Sequence, residues 1–450
     1  MDYDVIVIGA GLTGLSAAFF MKRKGLRVLV LEKKDRTGGA IRSHRENGFV
    51  YEEGPNTGLI SNAELLDLFQ LSGVAPEIAS GSAKKRLILK NGQWHPLPRG
   101  PAGFFKTPLF GFHDKVGMFF EPFRKRGSDP DESLLETVSR RIGKSFADYA
   151  ADPFVSGIYA GDPKRLVTRH AFPKLYDLEQ KYGSFVCGAI MKSLASGKER
   201  RVSRKVFSVS GGLGTLVDAL AKEIGEEHLI RSAQNIEASK TGNGYAINYT
   251  HEGRTLTLRA NNLVSTVGAY ALPKIFPFID KEDMDCLTEM NYAKVIQVAV
   301  GAERKAIDNA HVSFGGLVPT KENRKILGVL LPSFCFSGRA PEGYVTMAVY
   351  MGGTRHPEYM DMPDDEIKKI VGEELSALFR VPESSIAFMK LFRHPHAIPQ
   401  YERSSGKRLE TLWRLEKKND GLILSGNLRD GIGMADRVKQ AYETAARIRA

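Results

Sequence analysis

The sequence of 450 residues is poor in cysteine and has neither a long apolar run nor a block of consecutive basic residues. Its three cysteines, Cys187, Cys286 and Cys335, lie far apart, which argues against a disulfide framework, a zinc ribbon and a redox-active dithiol. Without eighteen consecutive apolar residues, no segment is expected to cross a bilayer. The N-terminus also lacks the pattern of a secretory signal, so we expect a reducing, cytoplasmic location.

The charge balance points to anionic partners. The formal net charge is +12 at pH 7, which favours acidic small molecules, phospholipid headgroups or nucleic acid. Because the basic residues occur only in short clusters, we do not expect nucleic acid among the partners. The chain is too long for one core and suggests two or three domains. We expect no metal site, because His394 and His396 flank a proline and have no acidic or cysteine ligand nearby.

The first sixty residues predict a nucleotide site. A buried strand (5–8) leads into Gly9, Gly11 and Gly14, which form G-x-G-x-x-G at the start of a helix. The first glycine permits a tight turn, the second lets the backbone approach a pyrophosphate, and the third lets the helix pack closely. Glu32 ends the next strand, 18 residues after Gly14, where a ligand of the ribose hydroxyls is expected.

Three further segments resemble flavoproteins of the amine oxidase, phytoene desaturase and protoporphyrinogen oxidase superfamily. They are "DRTGGA" (35–40), "YEEGPNTG" (51–58) and the C-terminal "SGNLRDGIGM" (425–434), which precedes a helix. This resemblance implies noncovalent FAD as the cofactor and a discontinuous, Rossmann-like domain of the glutathione reductase type. It implies that FAD is contacted by Gly9, Gly11, Leu12, Thr13, Gly14, Glu32, Lys33, Arg36, Gly38, Gly39, Ala40, Gly54, Pro55, Asn56, Thr57, Ile236, Gly426, Asn427, Gly431, Ile432, Gly433 and Met434.

Residues 99–126 carry seven phenylalanines among basic residues. Such a cluster is typical of a peripheral contact with a membrane, although a helical cap that packs on its own core would fit equally well. Ser133 and Glu136 form a capping box ahead of an amphipathic helix that ends near Gly143. We therefore expect a helical insert of the membrane-binding type at 101–203.

The stretch "DPFVSGIYAGDPKRL" (152–166) shows neither a helical nor a strand period and reads as a linker with a turn at 161–163. With "FPKLYDLEQ" after it, this stretch resembles the central signature of the oxygen-dependent protoporphyrinogen oxidase family. The resemblance covers essentially the whole chain and implies that the stretch shapes a porphyrinogen site. It contains no obvious catalytic group, and we assign no catalytic side chain, because the flavin carries the hydride.

The same family resemblance implies which residues contact the substrate. "FGGLVPTKE" (314–322) and "VYMGG" (349–353) match pocket-lining elements, and Arg99 matches an arginine that pairs with a propionate. The implied activity is dehydrogenation of protoporphyrinogen IX to protoporphyrin IX in haem biosynthesis, with O2 or another diffusible acceptor reoxidising the flavin. Coproporphyrinogen III is an open alternative, as are another oxidase or desaturase of the superfamily and a non-catalytic escort protein. The substrate-contacting residues implied are Arg99, Phe314, Gly315, Leu317, Tyr350 and Met351.

The predicted fold is α/β, with a mixed-sheet substrate domain beside the FAD domain and the helical insert. We expect contact with the inner face of the cell membrane and transfer of the product to a ferrochelatase. The predicted boundaries place the FAD domain at 1–85, 204–290 and 411–450, the substrate domain at 86–100 and 291–410, and the insert at 101–203.

Overall fold

The apolar run before the first glycine turn lies at the centre of a sheet in the computed structural model, which describes residues 1–195 and 204–448. Val5 to Ile8 are buried on both faces, as expected for a strand covered by helices on each side. The strands are β1 (Tyr3–Ile8), β2 (Val28–Leu31), β3 (Ser43–Glu46), β4 (Phe49–Glu52), β5 (Gly58–Leu59), β6 (Pro76–Ile78), β7 (Arg86–Lys90), β8 (Gln93–Pro96), β9 (Val206–Val209), β10 (Leu229–Ile230), β11 (Gln234–Thr241), β12 (Gly244–His251), β13 (Arg254–Ser265), β14 (Tyr292–Glu303), β15 (Gly315–Leu317), β16 (Gly328–Leu330), β17 (Tyr344–Gly352), β18 (Ile386–Pro399) and β19 (Leu422–Leu424).

The first sheet has the order β10-β2-β1-β13-β12-β11, and β19 pairs with the end of β13. Strands β10, β2, β1, β13 and β19 run parallel, whereas β12 and β11 continue the sheet as antiparallel strands. Ile8, Ser265 and Leu424 are neighbours in register at the carboxyl ends of their strands. The loops that follow these strands therefore meet at one edge, where open α/β sheets bind ligands.

Helices cover both faces of this sheet, and α1 packs between α11 and α17 on one of them. The helices are α1 (Leu12–Arg23), α2 (Ala63–Ser72), α3 (Gly100–Lys106), α4 (Phe112–Gly117), α5 (Leu134–Ile142), α6 (Lys144–Phe146), α7 (Asp152–Ile158), α8 (Thr168–Ala171), α9 (Pro173–Tyr182), α10 (Phe185–Ala195), α11 (Gly214–Ile224), α12 (Leu272–Ile275), α13 (Lys281–Thr288), α14 (Pro332–Cys335), α15 (Asp364–Phe379), α16 (Ser405–Lys418) and α17 (Met434–Arg447).

A second, largely antiparallel sheet has the order β18-β14-β17-β16-β15-β7-β8. Only the β15–β7 pair is parallel among the pairings described for this sheet. Helix α15 packs on one face, where Ile367, Val371 and Leu375 are buried against residues of β14 and β17. The other face of the sheet is turned toward the helical insert, since α7 contacts β15.

The helical insert comprises α3 to α10, between β8 and β9. The predicted capping box is confirmed, because Ser133 Oγ accepts from Glu136 N and the Glu136 carboxylate accepts from Ser133 N. A fully buried ion pair, Arg141 with Glu121, fixes α5 to the segment after α4. A charge pair of this kind survives burial because both partners have further hydrogen bonds, here to the carbonyl of Gly183 and the hydroxyl of Ser184.

The interpretation of 152–158 as an aperiodic linker was wrong. Asp152–Ile158 is helix α7, and it continues directly from a π-helical turn at Ala147–Ala151. A π turn inserts an extra residue and shifts the buried face, so the 3.6-residue pattern is lost from the sequence. Pro153, which has no N–H to donate, lies at the junction between the π turn and α7.

The predicted fold class is confirmed: a parallel nucleotide-binding sheet assembled from distant parts of the chain stands beside a mixed sheet and a helical insert. The domain boundaries remain a prediction.

Candidate functional site

The first glycine turn has the geometry that its sequence predicts. Gly9 has φ of +102°, a conformation that favours glycine, and so permits the tight turn after β1. A methyl group at Gly14 would lie 1.9 Å from the carbonyl oxygen of Gly9, so only a glycine lets α1 start this close to the strand. At Gly11, by contrast, a methyl group would meet nothing closer than 3.8 Å. The space in front of Gly11 is therefore open.

The second turn packs against the first, and the third turn packs against the second. Gly38 N donates to the carbonyl oxygen of Ala10 (2.7 Å), and Gly38 forms a β-bridge with Gly11. A methyl group at Gly39 would lie 2.9 Å from the Cα atom of Gly11. A methyl group at Gly54 would lie 2.0 Å from the carbonyl oxygen of Ala40. At both of these contacts, two backbone segments therefore touch with no side chain between them.

The C-terminal turn closes this arrangement from the other side. Thr266, after β13, donates from Oγ1 to the carbonyl oxygen of Gly9 (3.1 Å), and a methyl group at Gly426 would lie 2.7 Å from the carbonyl oxygen of Thr266. A methyl group at Gly58, directly after the third turn, would lie 3.2 Å from Met434 Sδ at the start of α17. We call these four turns, residues 9–14, 38–40, 54–57 and 426–434, the glycine cradle.

The cradle fits the diphosphate of a dinucleotide. Helix α1 begins at Leu12 with no side-chain cap, so its first N–H groups remain available beside the open space at Gly11.

In the fourth turn, Asn427 Oδ1 is enclosed and has no hydrogen-bond partner among the described residues. A buried acceptor of this kind is normally satisfied, so a ligand donor is expected there. The residues present thus fit FAD, with Leu12, Thr13, Ile432 and Gly433 beside the two helix starts.

Glu32 lies where the ribose is expected. Its carboxylate accepts from Ala10 N (2.7 Å) and from Lys34 N (2.8 Å), which fixes it against the first turn. The segment before β11 runs alongside, because Ala233 N donates to the carbonyl oxygen of Glu32 and Gln234 Nε2 to that of Lys33. The buried Ile236 follows on the same strand. The structure thus brings Glu32, Lys33 and the start of β11 together.

Glu53, just before the third turn, is surrounded by basic side chains. Its carboxylate lies 3.0 Å from His44 Nε2, 3.4 Å from Arg42 and 3.6 Å from Arg36. Burial would raise the pKa of Glu53, but the hydrogen bond with His44 and the charges of the two arginines outweigh burial and lower it. Arg36 is therefore partly neutralised by Glu53, so it offers a phosphate less free charge than the sequence suggested.

Several residues that hold the fourth turn carry no recognisable motif. The buried Arg437 donates to the carbonyl oxygens of Gly426 and Arg429, and Tyr401 Oη donates to those of Asn427 and Gly431. These side chains hold the backbone of the fourth turn in place. The burial of Arg437 is visible only in the structure, so the sequence offers no signal for its role.

The substrate side begins at β15 and β7. Phe314 precedes β15, and the guanidinium of Arg86 lies over its ring, 5.2 Å from the centroid. Arg86 pairs in register with Gly315 and has no carboxylate or hydrogen-bond partner for its side chain among the described residues. An arginine that covers an aromatic ring and keeps its donors free can bind a carboxylate in bidentate fashion. Arg86 was not predicted from the sequence, where the family resemblance implied Arg99 instead.

Arg99 lies immediately before α3 and is exposed, as Arg86 is at the start of β7. Leu317, at the end of β15, packs on α7, since a methyl group at Gly157 would lie 2.4 Å from Leu317 Cδ2. Phe314, Gly315 and Leu317 thus form a wall that faces the insert.

Tyr350 links this wall to the cradle. Asn56 Nδ2, in the third turn, donates to Tyr350 Oη at 2.7 Å. Met351 follows Tyr350 on β17 and points to the opposite face, where it is fully buried against the α15 side of the sheet. The structure brings Tyr350 to the site and places Met351 in the core of the second sheet. The roles of all these residues remain predictions.

Comparisons with known proteins agree with this geometry. Residues 12–448 match the family model described as flavin containing amine oxidoreductase. The chain is 28% identical to protoporphyrinogen oxidase 2 of Arabidopsis thaliana, over 98% of this chain and 92% of the relative. It is 26% identical to coproporphyrinogen III oxidase of Bacillus subtilis (strain 168), over 97% and 96%. The solved structure of cyclohexylamine oxidase from Brevibacterium oxydans IH-35A has a TM-score of 0.71 at 17% identity and shares the fold over 100% of this chain and 99% of that one.

Proposed function

Because this chain belongs to the flavin containing amine oxidoreductase family and is an FAD-dependent oxidoreductase, we propose that it dehydrogenates a porphyrinogen to a porphyrin. The proposed substrate is protoporphyrinogen IX, the product is protoporphyrin IX, and the acceptor is O2, which is reduced to hydrogen peroxide. One observation carries the proposal: the apolar wall of Phe314, Leu317 and Tyr350 adjoins the glycine cradle, and the cation at its edge, Arg86, has no partner within 1–195 and 204–448. A large flat macrocycle with acidic groups at its rim matches that chemistry.

The protein's part in this reaction is binding and orientation. When bound, FAD supplies the acceptor for each of the three hydrides that leave the macrocycle in turn, while one proton per round is lost from the macrocycle and three O2 are reduced to three hydrogen peroxide. The glycine cradle would hold the dinucleotide, and the wall would lay the macrocycle beside its reactive end and exclude water. Arg86 would fix the register of the macrocycle through a propionate. In this mechanism no side chain has to act as a general acid or base.

Coproporphyrinogen III is a second candidate substrate, because Arg86 and Arg99 both lack a side-chain partner among the described residues. Two free arginines suit a macrocycle with more carboxylates. The curated relative from Bacillus subtilis also carries the name of that activity.

A product assay separates the candidates. The FAD-loaded enzyme is incubated with each porphyrinogen in air, and porphyrin fluorescence and hydrogen peroxide are followed together. We expect protoporphyrin to form with the larger kcat/KM. A preference for coproporphyrinogen would support the second candidate, and oxidation of cyclohexylamine without oxidation of either porphyrinogen would refute both.

We also propose that the insert contacts a membrane surface from the cytoplasmic side. No helix in the described part of the chain is long and apolar enough to cross a bilayer. Phe112, Phe119, Phe120 and Phe123 are strongly exposed, Phe123 to 85%, beside Arg124 and the basic residues that follow it. Exposed aromatics next to cations suit the interface of an anionic membrane. Such a position would favour transfer of the product to a ferrochelatase.

Flotation with vesicles that contain anionic lipid tests this contact. Replacing Phe119, Phe120 and Phe123 by serine should abolish flotation, whereas Trp413→Ser, at an exposed aromatic elsewhere on the surface, should not. If the unaltered protein stays entirely in the soluble fraction, the contact is refuted.

A further inference from the structure

The hydrogen bond between Asn56 and Tyr350 joins two parts of the molecule that are 294 residues apart. Asn56 belongs to the glycine cradle, and Tyr350 stands on β17 in the wall opposite. Asn56 is only 6% exposed, and its carboxamide nitrogen is bonded within the protein.

The surroundings fix which end of the carboxamide meets Tyr350. The same Asn56 atom that lies 2.7 Å from Tyr350 Oη lies 3.4 Å from the carbonyl oxygen of Gly54. A carbonyl oxygen can only accept, so this atom is the nitrogen Nδ2. The oxygen Oδ1 therefore occupies the other position. Among the described residues, no donor reaches it.

Tyr350 is well placed to hold that orientation. Its ring packs with Ala160, Val295 and Leu327, and burial raises the pKa of Tyr350 above its usual value, so the hydroxyl stays neutral. On the neighbouring strand β14, Gln297 pairs with Tyr350 in register and donates from Nε2 to the carbonyl oxygen of Glu52 (2.7 Å). The backbone before Asn56 is thus held by Gln297, and its side chain is held by Tyr350.

Asn56 Oδ1, which no donor reaches among the described residues, is not fully enclosed, so a donor of a ligand at the cradle can reach it. Both ring systems expected here offer such a donor: the flavin has a ring N–H, and a porphyrinogen has pyrrole N–H groups. We propose that Tyr350 is a positioning residue, whose hydroxyl orients Asn56 so that the carboxamide oxygen accepts a hydrogen bond from an N–H of a ring bound at the cradle. Only the alternative in which a pyrrole N–H is the donor rests on the proposed function.

The test removes the hydroxyl and keeps the ring. Tyr350→Phe is compared with Tyr344→Phe, a matched change on the same strand at a partly exposed tyrosine with no hydrogen bond from its hydroxyl to the described residues. Asn56→Leu and the double variant Asn56→Leu/Tyr350→Phe complete a double-mutant cycle. The melting temperature of each FAD-loaded variant establishes that it folds.

Two sets of measurements distinguish the two N–H sources. The flavin set is the absorption spectrum of bound FAD, its dissociation constant and its midpoint potential, none of which needs a porphyrinogen. The substrate set is kcat and KM for protoporphyrinogen IX. If the flavin is the donor, Tyr350→Phe shifts the spectrum and raises the FAD dissociation constant about tenfold. If a pyrrole is the donor, the flavin properties are unchanged and kcat/KM falls about tenfold.

In either case the effects of Tyr350→Phe and Asn56→Leu should be far from additive, because the two residues act as one unit. The proposal is overturned if Tyr350→Phe matches Tyr344→Phe in both sets, or if the two effects simply add. A wild-type enzyme that oxidises no porphyrinogen would refute the proposed function and the pyrrole source, while the flavin set would still test the role of Tyr350.

Discussion

Two glycines of the first turn, Gly11 and Gly14, should separate cofactor binding from folding. Alanine at Gly11 meets no atom closer than 3.8 Å, and φ there is −74°, so the apoprotein should accept it. Its methyl group would project into the open space where the diphosphate is expected. Alanine at Gly14 would lie 1.9 Å from the Gly9 carbonyl oxygen, so the strand and the helix would have to move apart.

The expected magnitudes follow from these contacts. Displacing a phosphate from the start of α1 loses about 1.5–3 kcal/mol of charged hydrogen bonding and about 0.3–1 kcal/mol of dipole interaction. Gly11→Ala should therefore weaken FAD binding by about 20- to 1000-fold. Its apoprotein should be as stable as the unaltered one or slightly more so, because alanine restricts the unfolded chain. Gly14→Ala should destabilise the apoprotein by about 1–3 kcal/mol through overpacking.

Titration of apoprotein with FAD, followed by flavin fluorescence, gives the dissociation constant, and thermal unfolding of apoprotein gives the stability. Gly242→Ala is the control, because a methyl group there, in the β11–β12 turn, meets nothing within 4 Å. If Gly11→Ala binds FAD as tightly as Gly242→Ala does, the first turn does not hold the diphosphate.

Three other changes probe the rest of the molecule. Arg86→Ala should raise KM for the porphyrinogen about tenfold with little change in FAD affinity, and an unchanged KM in steady-state assays would remove Arg86 from the site. Asp152→Ala removes the carboxylate that accepts from Arg355 and from Thr320 N and Oγ1, so chemical denaturation should show a loss of about 1–3 kcal/mol. Burial lowers the pKa of His170 to about 4, below its value of about 6.5 in the unfolded chain, so its contribution to stability is complete above pH 6.5 and is lost as the pH falls toward 4. The pH slope of the unfolding free energy should shrink in His170→Gln, and an unchanged slope would contradict this.

The glycine turns could be predicted because their requirements fall on single residues. A tight turn, a close approach or an open space each demands glycine, so Gly9, Gly11 and Gly14 are visible in the sequence. The contacts that bring the turns together are different. Thr266 acts through the backbone of Gly9, 257 residues away, and Arg437 acts through carbonyl oxygens of the turn before its own helix. Neither residue type nor spacing announces these roles.

The substrate wall shows a second kind of limit. Tyr350 and Met351 were both implied by one matching motif, yet adjacent residues of a strand face opposite sides, so at most one of them could line the site. The two-residue alternation of a strand could have shown that only one of the two lines the site, but it could not have shown which one. Arg86 was missed because its significance depends on having no partner, and partners are visible only in three dimensions.

The stretch at 152–166 joins these observations. Asp152 is tied to Thr320 and Arg355, which directly follow the strand regions that carry Leu317 and Tyr350. Gly157 lies under Leu317, and a methyl group there would overlap that side chain. Both contacts set how far α7 stands from β15, because any larger residue at 157 must push the helix away from the sheet. Packing thus accounts for Asp152 and Gly157 in the family-like signature, and we expect the stretch to act on function through the distance between the insert and the wall.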